Sequence, residues 1–283
     1  MRCSSAALLA ALGLAGLMTS ARAADYEFDP PVLRGTETET QFIPAFPRYF
    51  NWQGFYAGGH VTYSTSSVDF TTATQPLVDE AIQFSTVLAD MTPEFWQPLT
   101  TRDTSAAGLG GFIGYNFQWD SAVLGLELNY THTGLDAASP STPVERSQTI
   151  GAEIDDVTLT GTGEVNIHDI VTTRARLGAS INNFMPYAVI GFAFGRADIN
   201  TSVNLDVKAY NSTTMVLLSE STFAQSRDKS SAYLYGYSAG GGLDFALTNN
   251  IFARAEYEFI QWQRFWAINA VMHNFRAGVG VKF

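Results

Sequence analysis

The chain has 283 residues, a formal net charge of −11, and only 15% charged residues. A charge of this sign argues against nucleic acid as a partner, because phosphate binding needs basic patches. The 24 glycines, 20 phenylalanines and 12 tyrosines are an unusual composition for a soluble enzyme. After the first 23 residues no stretch approaches 18 consecutive apolar residues, which excludes a helical membrane protein.

The first 23 residues have the pattern of a signal peptide. Arg2 precedes an apolar run over residues 6–18, and Ala21-Arg22-Ala23 forms an A-x-A cleavage signal. The single cysteine, Cys3, precedes this cut, so the mature chain would contain none. Export without disulfides favours a bacterial envelope protein over a small stapled secreted domain.

Residues 24–50 are predicted to form a flexible periplasmic arm. The segment carries prolines at 30, 31, 44 and 47 and has no strand pattern. Such a composition is typical of an extended, mobile segment. From the residues alone, the arm is either a spacer or a device with a function of its own.

Eight later segments alternate with a period of two residues, which predicts β-strands. In each, one face is apolar, and the other carries glycine, serine, asparagine or a few charges. The segments are 54–64, 107–117, 124–130, 171–181, 188–195, 235–245, 253–259 and 275–283.

The connections between these segments alternate between short and long. The turns after the second, fourth and sixth segments are two or three residues long (119–121, 182–183 and 248–250), whereas the connections after the first, third and fifth are about thirty residues or more. This asymmetry is typical of a transmembrane barrel with short periplasmic turns and long extracellular loops. Residues 51–283 are therefore predicted to form an all-β, eight-stranded antiparallel transmembrane β-barrel.

Composition decides which face of the barrel meets lipid. The outside of a soluble barrel would be rich in Lys and Glu, yet the non-apolar face here is mostly small residues. Small residues suit a narrow lumen. The apolar face should therefore contact lipid, with aromatic residues near the segment ends forming interfacial girdles.

Charged residues on the inward face are expected to meet in the lumen. They can form a ladder of ion pairs that plugs the barrel, or they can line a pore. Eight strands enclose just enough room for side chains, which favours the plug. The predicted lumen network is Glu127, Arg174, Arg176, Asp244, Arg254, Glu256, Glu258, Arg276 and Lys282.

The four histidines are the candidates for metal or acid–base chemistry. His132, His168 and His273 are expected near the extracellular rim, with Asp136 and Asp169 nearby in sequence, and His60 lies inside the first segment. A rim His/Asp cluster could bind a metal or activate water. No H-x-x-x-H pattern accompanies them. The sequence therefore predicts a non-enzyme without catalytic, cofactor or metal residues.

The first two long connections are acidic. Residues 66–104 carry six acids against Arg102, and residues 133–166 carry six against Arg146. These acids are either solvated loop surface or oxygen ligands for divalent cations that bridge to lipopolysaccharide. Between residues 76 and 96 a loose 3.6-residue period predicts a short helix, which could cover the barrel mouth or enter it.

Three stretches carry a family resemblance. Trp52-Gln-Gly-Phe-Tyr-Ala-Gly-Gly59, Arg174-Ala-Arg-Leu-Gly178 with Pro186-Tyr187, and the block from Gly240 to Tyr257 resemble the alphaproteobacterial outer-membrane surface-antigen barrels. That family is related to the OmpA-type eight-stranded transmembrane domain. We expect two departures from that family's pattern: no globular peptidoglycan-binding domain after the barrel, and an unusually long first loop.

The resemblance implies roles for both ends of the mature chain. Phe283 is similar to the terminal residue by which the barrel assembly machinery recognises such proteins. Barrels of this family can begin Ala-Asp after processing and be joined there to peptidoglycan, which points to Ala24 and Asp25. Further expected partners are outer-membrane lipid and lipopolysaccharide.

The expected function is structural, in the bacterial outer membrane. Such a barrel would contribute to envelope integrity and surface presentation, and its N-terminus would tether it to peptidoglycan. The alternatives are a small-solute porin and, in a different class, a rim hydrolase or adhesin.

Overall fold

A computed structural model describes residues 50–82 and 91–283. The predicted signal peptide and nearly all of the predicted arm lie outside the described residues. No helix in the described part of the chain is long and apolar enough to span a bilayer. The elements are β1 (Gly54–Asp69), α1 (Gln75–Ile82), a 3₁₀ turn (Pro93–Phe95), β2 (Thr101–Trp119), β3 (Ala122–Ser139), β4 (Val144–Ile150), β5 (Glu153–Ala179), β6 (Phe184–Asn211), β7 (Leu217–Ala246), β8 (Ile251–Trp262) and β9 (Asn269–Lys282).

Eight of the strands close into a ring. Their order is β3-β2-β1-β9-β8-β7-β6-β5, and β3 pairs with β5 to complete the circle. Every pairing in the ring is antiparallel, and β1 pairs with the last strand, β9, from Tyr56↔Lys282 to Asp69↔Asn269. A closed ring leaves no unpaired strand edge in hydrocarbon. The predicted eight-stranded antiparallel barrel is confirmed.

The apolar faces point outward, as predicted. Leu126 on β3 and Ile190 on β6 are 64% and 67% exposed, whereas their neighbours Glu127 and Val189 are buried. Because successive side chains of a strand point to opposite faces, this places the apolar rows against lipid and the polar rows in the lumen.

The long connections differ from the prediction, because much of their length is strand. Strands β5, β6 and β7 have 27, 28 and 30 residues, whereas crossing a bilayer takes about 9–11. Beyond the ring they continue together and add β4 at one edge. We call this continuation the distal sheet: β4, residues 153–168 of β5, 197–211 of β6 and 217–230 of β7.

The distal sheet was missed because its pattern is inverted relative to the membrane part. Its buried face is apolar, as at Val157, Leu159 and Val203, and its outer face is polar. A strand surrounded by water needs apolar residues inside, whereas a strand in lipid needs them outside. The inversion on β5 coincides with a register shift between Ile167 and Asp169. The period-two signal was present, but with the opposite polarity.

The predicted short helix is α1, and its position is now defined. Leu77, Val78 and Ala81 are buried together with Trp96 against the apolar inner face of the distal sheet. The helix therefore covers this face and does not enter the ring of membrane strands.

Candidate functional site

The interior of the barrel is filled by three successive layers. A lower layer lies at the end with the short turns: Phe50, Trp52, Tyr56, Phe112, Val123, Met185, Tyr187, Val189, Ala246 and Phe252. An upper apolar layer lies at the opposite end and includes Phe70, Leu99, Ile170, Leu234, Trp262 and Met272. Between them lies an ionic layer, which contains the predicted lumen charges.

Glu127 is the centre of the ionic layer. Its carboxylate accepts hydrogen bonds from Arg174, from Arg176 at 3.1 Å and from Arg254 at 2.7 Å. These three arginines are on β5 and β8, so one side chain of β3 ties together strands on both sides of the lumen. Each bond pairs two charged groups, which makes it stronger than a neutral hydrogen bond.

Strand register explains part of the network, and closure of the ring explains the rest. Glu127 lies opposite Arg174, Arg254 opposite Asp244, and Glu256 opposite Arg276 on neighbouring strands. Arg254 binds Asp244 through two nitrogens, at 2.8 and 3.0 Å. Other pairs cross the lumen, such as Arg174 to Glu256 at 2.6 Å. These pairs become neighbours only when the sheet closes.

The structure brings together eight of the nine predicted lumen residues. Four arginines and four carboxylates contact one another, so the formal charges cancel. Lys282 lies outside this network, which corrects the prediction. Its Nζ donates to the carbonyl oxygen of Gln53 at 3.2 Å and lies 5.5 Å from the ring centre of Phe50. It lies at the end of β9, by the short turns, beyond the reach of the ionic layer.

Two tyrosines of the lower layer bind the ionic layer through their hydroxyls, and the sequence analysis missed them. The Tyr56 hydroxyl donates to Glu127 at 2.8 Å, and the Tyr187 hydroxyl donates to Glu256 at 2.8 Å. The guanidinium of Arg176 lies 3.9 Å from the ring centre of Tyr187, a cation–π contact. The alternation of β1 and β6 could have identified them. Each tyrosine lies next to an outward-facing apolar residue, so its own side chain points into the lumen.

The histidines do not form a common site in the described part of the chain. His132 contacts Asp169 at 2.9 Å and His168 contacts Asp198 at 2.9 Å, while His273 pairs with the Tyr257 hydroxyl. His60 is buried and contacts Thr131 at 3.1 Å. Asp136 lies opposite Asn166, not beside a histidine.

Two rim carboxylates have perturbed acidity. Hydrogen bonds from His132 and Tyr130 hold the pKa of Asp169 below its usual range. The backbone N–H of Ser231 and then His168 do the same for the pKa of Asp198. No group of three or more Asp, Glu, His or Cys residues suited to a metal occurs within residues 50–82 and 91–283.

The structure describes only one of the two ends of the mature chain to which the sequence assigns a role. The backbone N–H of Phe283 donates to Phe55 at 2.9 Å, and its side chain is 77% exposed on the outer surface. Its role as an assembly signal stays a prediction. Ala24 and Asp25 lie outside the described residues.

A closed ring with an apolar exterior, whose filled lumen has an ionic layer at its centre, defines an outer-membrane β-barrel protein. The chain belongs to the outer membrane protein beta-barrel domain family, whose model matches residues 43–283. The predicted location in the bacterial outer membrane, and the resemblance to surface-antigen barrels, are thereby confirmed.

Two relatives found by sequence agree with this assignment. The chain is 23% identical to the 25 kDa outer-membrane immunogenic protein of Brucella ovis over the full length of both. It is 25% identical to the 22 kDa outer membrane protein of Rhizobium leguminosarum bv. viciae, over 82% of this chain and 79% of the relative. Among solved structures, Neisserial surface protein A has a TM-score of 0.35 at 14% identity, with 81% of this chain and 97% of that chain covered.

Proposed function

We propose that the protein is a structural barrel of the outer membrane, which contributes to envelope integrity and presents the distal sheet at the cell surface. The observation that supports this most is the filled interior, with a neutral ionic layer between two layers of packed apolar and aromatic residues. A structural role needs a rigid, sealed barrel, and every arginine of the ionic layer is bound to at least one carboxylate.

The rival function, a small-solute porin, would need a continuous polar path. Such a path would have to pass Trp52 in the lower layer and Trp262 in the upper layer, both almost fully buried. It would also have to separate arginines from carboxylates in a medium that solvates charge poorly. The packing therefore supports a plugged barrel.

Single-channel recording in a planar bilayer tests this proposal. The refolded protein is expected to give no steady, reproducible open levels. The double variant Trp52→Ala with Trp262→Ala lacks the largest side chain of each apolar layer. It serves as the control for detection, since it should pass ions if these two side chains seal the lumen. Steady open levels from the unmodified protein would contradict the structural function and favour the porin.

We further propose that the mature N-terminus is linked to peptidoglycan at Ala24, followed by Asp25. The support is the family resemblance of this Ala-Asp start and the proline-rich segment after it, which would give the terminus reach. Purified cell walls would be washed, digested with lysozyme, and the released N-terminal peptide analysed by mass spectrometry.

The expected result is a peptide that begins at Ala24 and carries a cell-wall fragment. A chain with a Gly-Ser pair inserted before Ala24 is the matched control, which should lose the link while the barrel still assembles. If the native N-terminus is always unmodified and no protein stays on washed walls, the tether is wrong. The plugged-barrel proposal does not depend on this outcome.

A further inference from the structure

The far end of the distal sheet exposes a compact set of aliphatic side chains. It is formed by two adjacent turns, one between β4 and β5 and one between β6 and β7. All five side chains are large, apolar and between 44% and 63% exposed. We call this surface the distal tip: Ile150, Met215, Val216, Leu217 and Leu218.

The two turns are fixed to one another and internally. The backbone N–H of Ser212 donates to the carbonyl of Ala152 at 2.8 Å, which joins the turns. Asn211 organises the second turn: its side-chain oxygen accepts from the N–H groups of Thr213 and Thr214 at 3.0 and 2.9 Å. Met215 takes a left-handed backbone conformation with φ of 53°. The aliphatic run is therefore held outward by a defined turn.

The surroundings of the distal tip are acidic. Its two basic residues are already engaged: Lys208 pairs with Glu220 at 3.3 Å, and Arg146 lies 5.9 Å from the ring centre of Trp96. Since Glu220 is the partner of Lys208, three acids with exposed or half-exposed side chains remain against Arg146: Glu145, Glu153 and Asp156. An apolar surface with this collar should avoid anionic partners and favour ones that present cations.

The shape and composition of the tip favour lipid over a protein partner. Centres of protein interfaces are enriched in Tyr, Trp and Arg, and they commonly seat such anchors in pockets. The distal tip is instead a projecting hairpin end with five flexible or branched aliphatic side chains. Projecting aliphatic side chains can enter the headgroup region of a bilayer without a preformed pocket.

The tip cannot reach the membrane that holds its own barrel. On β5 the distal sheet comprises residues 153–168, which correspond to about 50 Å of strand at about 3.3 Å per residue. We propose that the distal tip inserts into the surface of an opposed bilayer rich in phosphatidylcholine, whose outward ammonium groups complement the acidic collar. This activity goes beyond the structural function proposed above.

Vesicle flotation tests the inference on the full chain. The protein is placed in lipid nanodiscs, mixed with phosphatidylcholine vesicles and centrifuged, and the fraction that floats is measured. Discs with the native protein should float with the vesicles, whereas empty discs should not. Vesicles of phosphatidylglycerol should bind less at low salt, because the collar repels them.

Variants distinguish vesicle binding by the distal tip from nonspecific binding by other exposed apolar residues. Val216→Ser with Leu217→Ser and Leu218→Ser should lower the apparent vesicle affinity roughly tenfold or more. The matched control is Phe95→Ser, which removes an exposed aromatic residue from the first loop and should change nothing. Heat-modifiable migration on gels verifies that each variant is folded.

A spectroscopic readout gives an independent test. The native protein has five tryptophans, so the readout is the difference between the emission spectra of Leu217→Trp and of the native protein. This difference emission should shift to the blue on addition of phosphatidylcholine vesicles, and brominated lipid in those vesicles should quench it. No flotation by the native protein, or equal flotation by the triple serine variant, would overturn the inference. So would a Leu217→Trp spectrum unaffected by lipid.

Discussion

Among the carboxylates of the ionic layer, Glu127 accepts hydrogen bonds from the most arginines, namely three. Its side chain is completely buried. Removal of such a partner leaves charge uncompensated in a poorly solvating medium, whereas replacement of a whole pair by apolar residues is often tolerated. The identity of a single residue therefore matters less than the completeness of its pairing.

Glu127→Gln is expected to lower the free energy of unfolding by an amount on the order of 3–5 kcal/mol. Denaturant titration in lipid vesicles measures it, with the exposed Glu164→Gln as control. The double variant Glu127→Leu with Arg174→Leu should lose less than the sum of the two single variants. An additive loss would contradict the coupling of these charges.

Asp155, near the distal tip, is a buried carboxylate that is expected to destabilise the fold when it is ionised. Burial, followed by the nearby carboxylates of Glu153 and Asp156, raises the pKa of Asp155. The folded state thus holds this proton more tightly than the unfolded state does. The local stability should be highest at acid pH and fall as the pH rises through and above the usual carboxyl range.

Asp155→Asn should therefore stabilise the start of β5 at neutral pH and remove this pH dependence. Hydrogen exchange of the backbone amides of residues 153–159, corrected for intrinsic rates, is the measurement. In the native protein, protection should increase on acidification. Asp228→Asn, an exposed change on β7, should leave the pH dependence of these amides as it is; equal behaviour of both variants would refute the burial argument.

At the scale of elements, each long strand serves two environments. The part of β5 in the ring exposes Leu177 and buries Arg176, whereas the part in the distal sheet buries Leu159 and exposes Thr162. Position along the strand, rather than residue type, decides whether an outward charge is tolerated.

Leu126→Arg on β3 should impair assembly, because an arginine at mid-bilayer on a barrel exterior costs about 2–4 kcal/mol. Asn200→Arg is the matched control, since Asn200 is exposed on the outer face of the distal sheet. Yields of heat-modifiable protein in the outer membrane compare the two. Equal yields would mean that the outer face of β3 does not meet lipid where the structure implies.

At the scale of the whole molecule, the ring separates two ends of different construction. The connections β2–β3, β5–β6 and β7–β8 are short turns at one end, and the distal sheet with α1 lies at the other. Outer-membrane barrels place short turns in the periplasm and long connections outside. The distal sheet should therefore face the exterior of the cell.

Labelling of engineered cysteines tests this orientation. The single native cysteine, Cys3, precedes the predicted cleavage site, so the mature background is free of thiols. Ser226→Cys on the distal sheet should react with an impermeant maleimide on intact cells. Asn249→Cys, in the β7–β8 turn, should react only after the outer membrane is opened. The reverse pattern would invert the topology.

The sequence by itself determined the class of fold and the membrane face. Lipid demands apolar residues on every second position, and a narrow lumen demands small or paired ones, so the period and polarity of segments such as 124–130 and 188–195 are visible in one dimension. Charge parity likewise identified Glu127, Arg174 and their partners as inward, because parity is a local property of a strand.

Only the tertiary structure decided which inward charges meet and which face of each strand segment is buried. Contacts across the lumen, such as Arg174 to Glu256, depend on ring closure, and the same closure leaves Lys282 outside the network. The distal sheet was not predicted because water reverses the polarity that lipid imposes, so a pattern with apolar residues facing lipid does not include its rows of Val and Leu. Where the solvent changes along one strand, only the three-dimensional surroundings tell which face is inside.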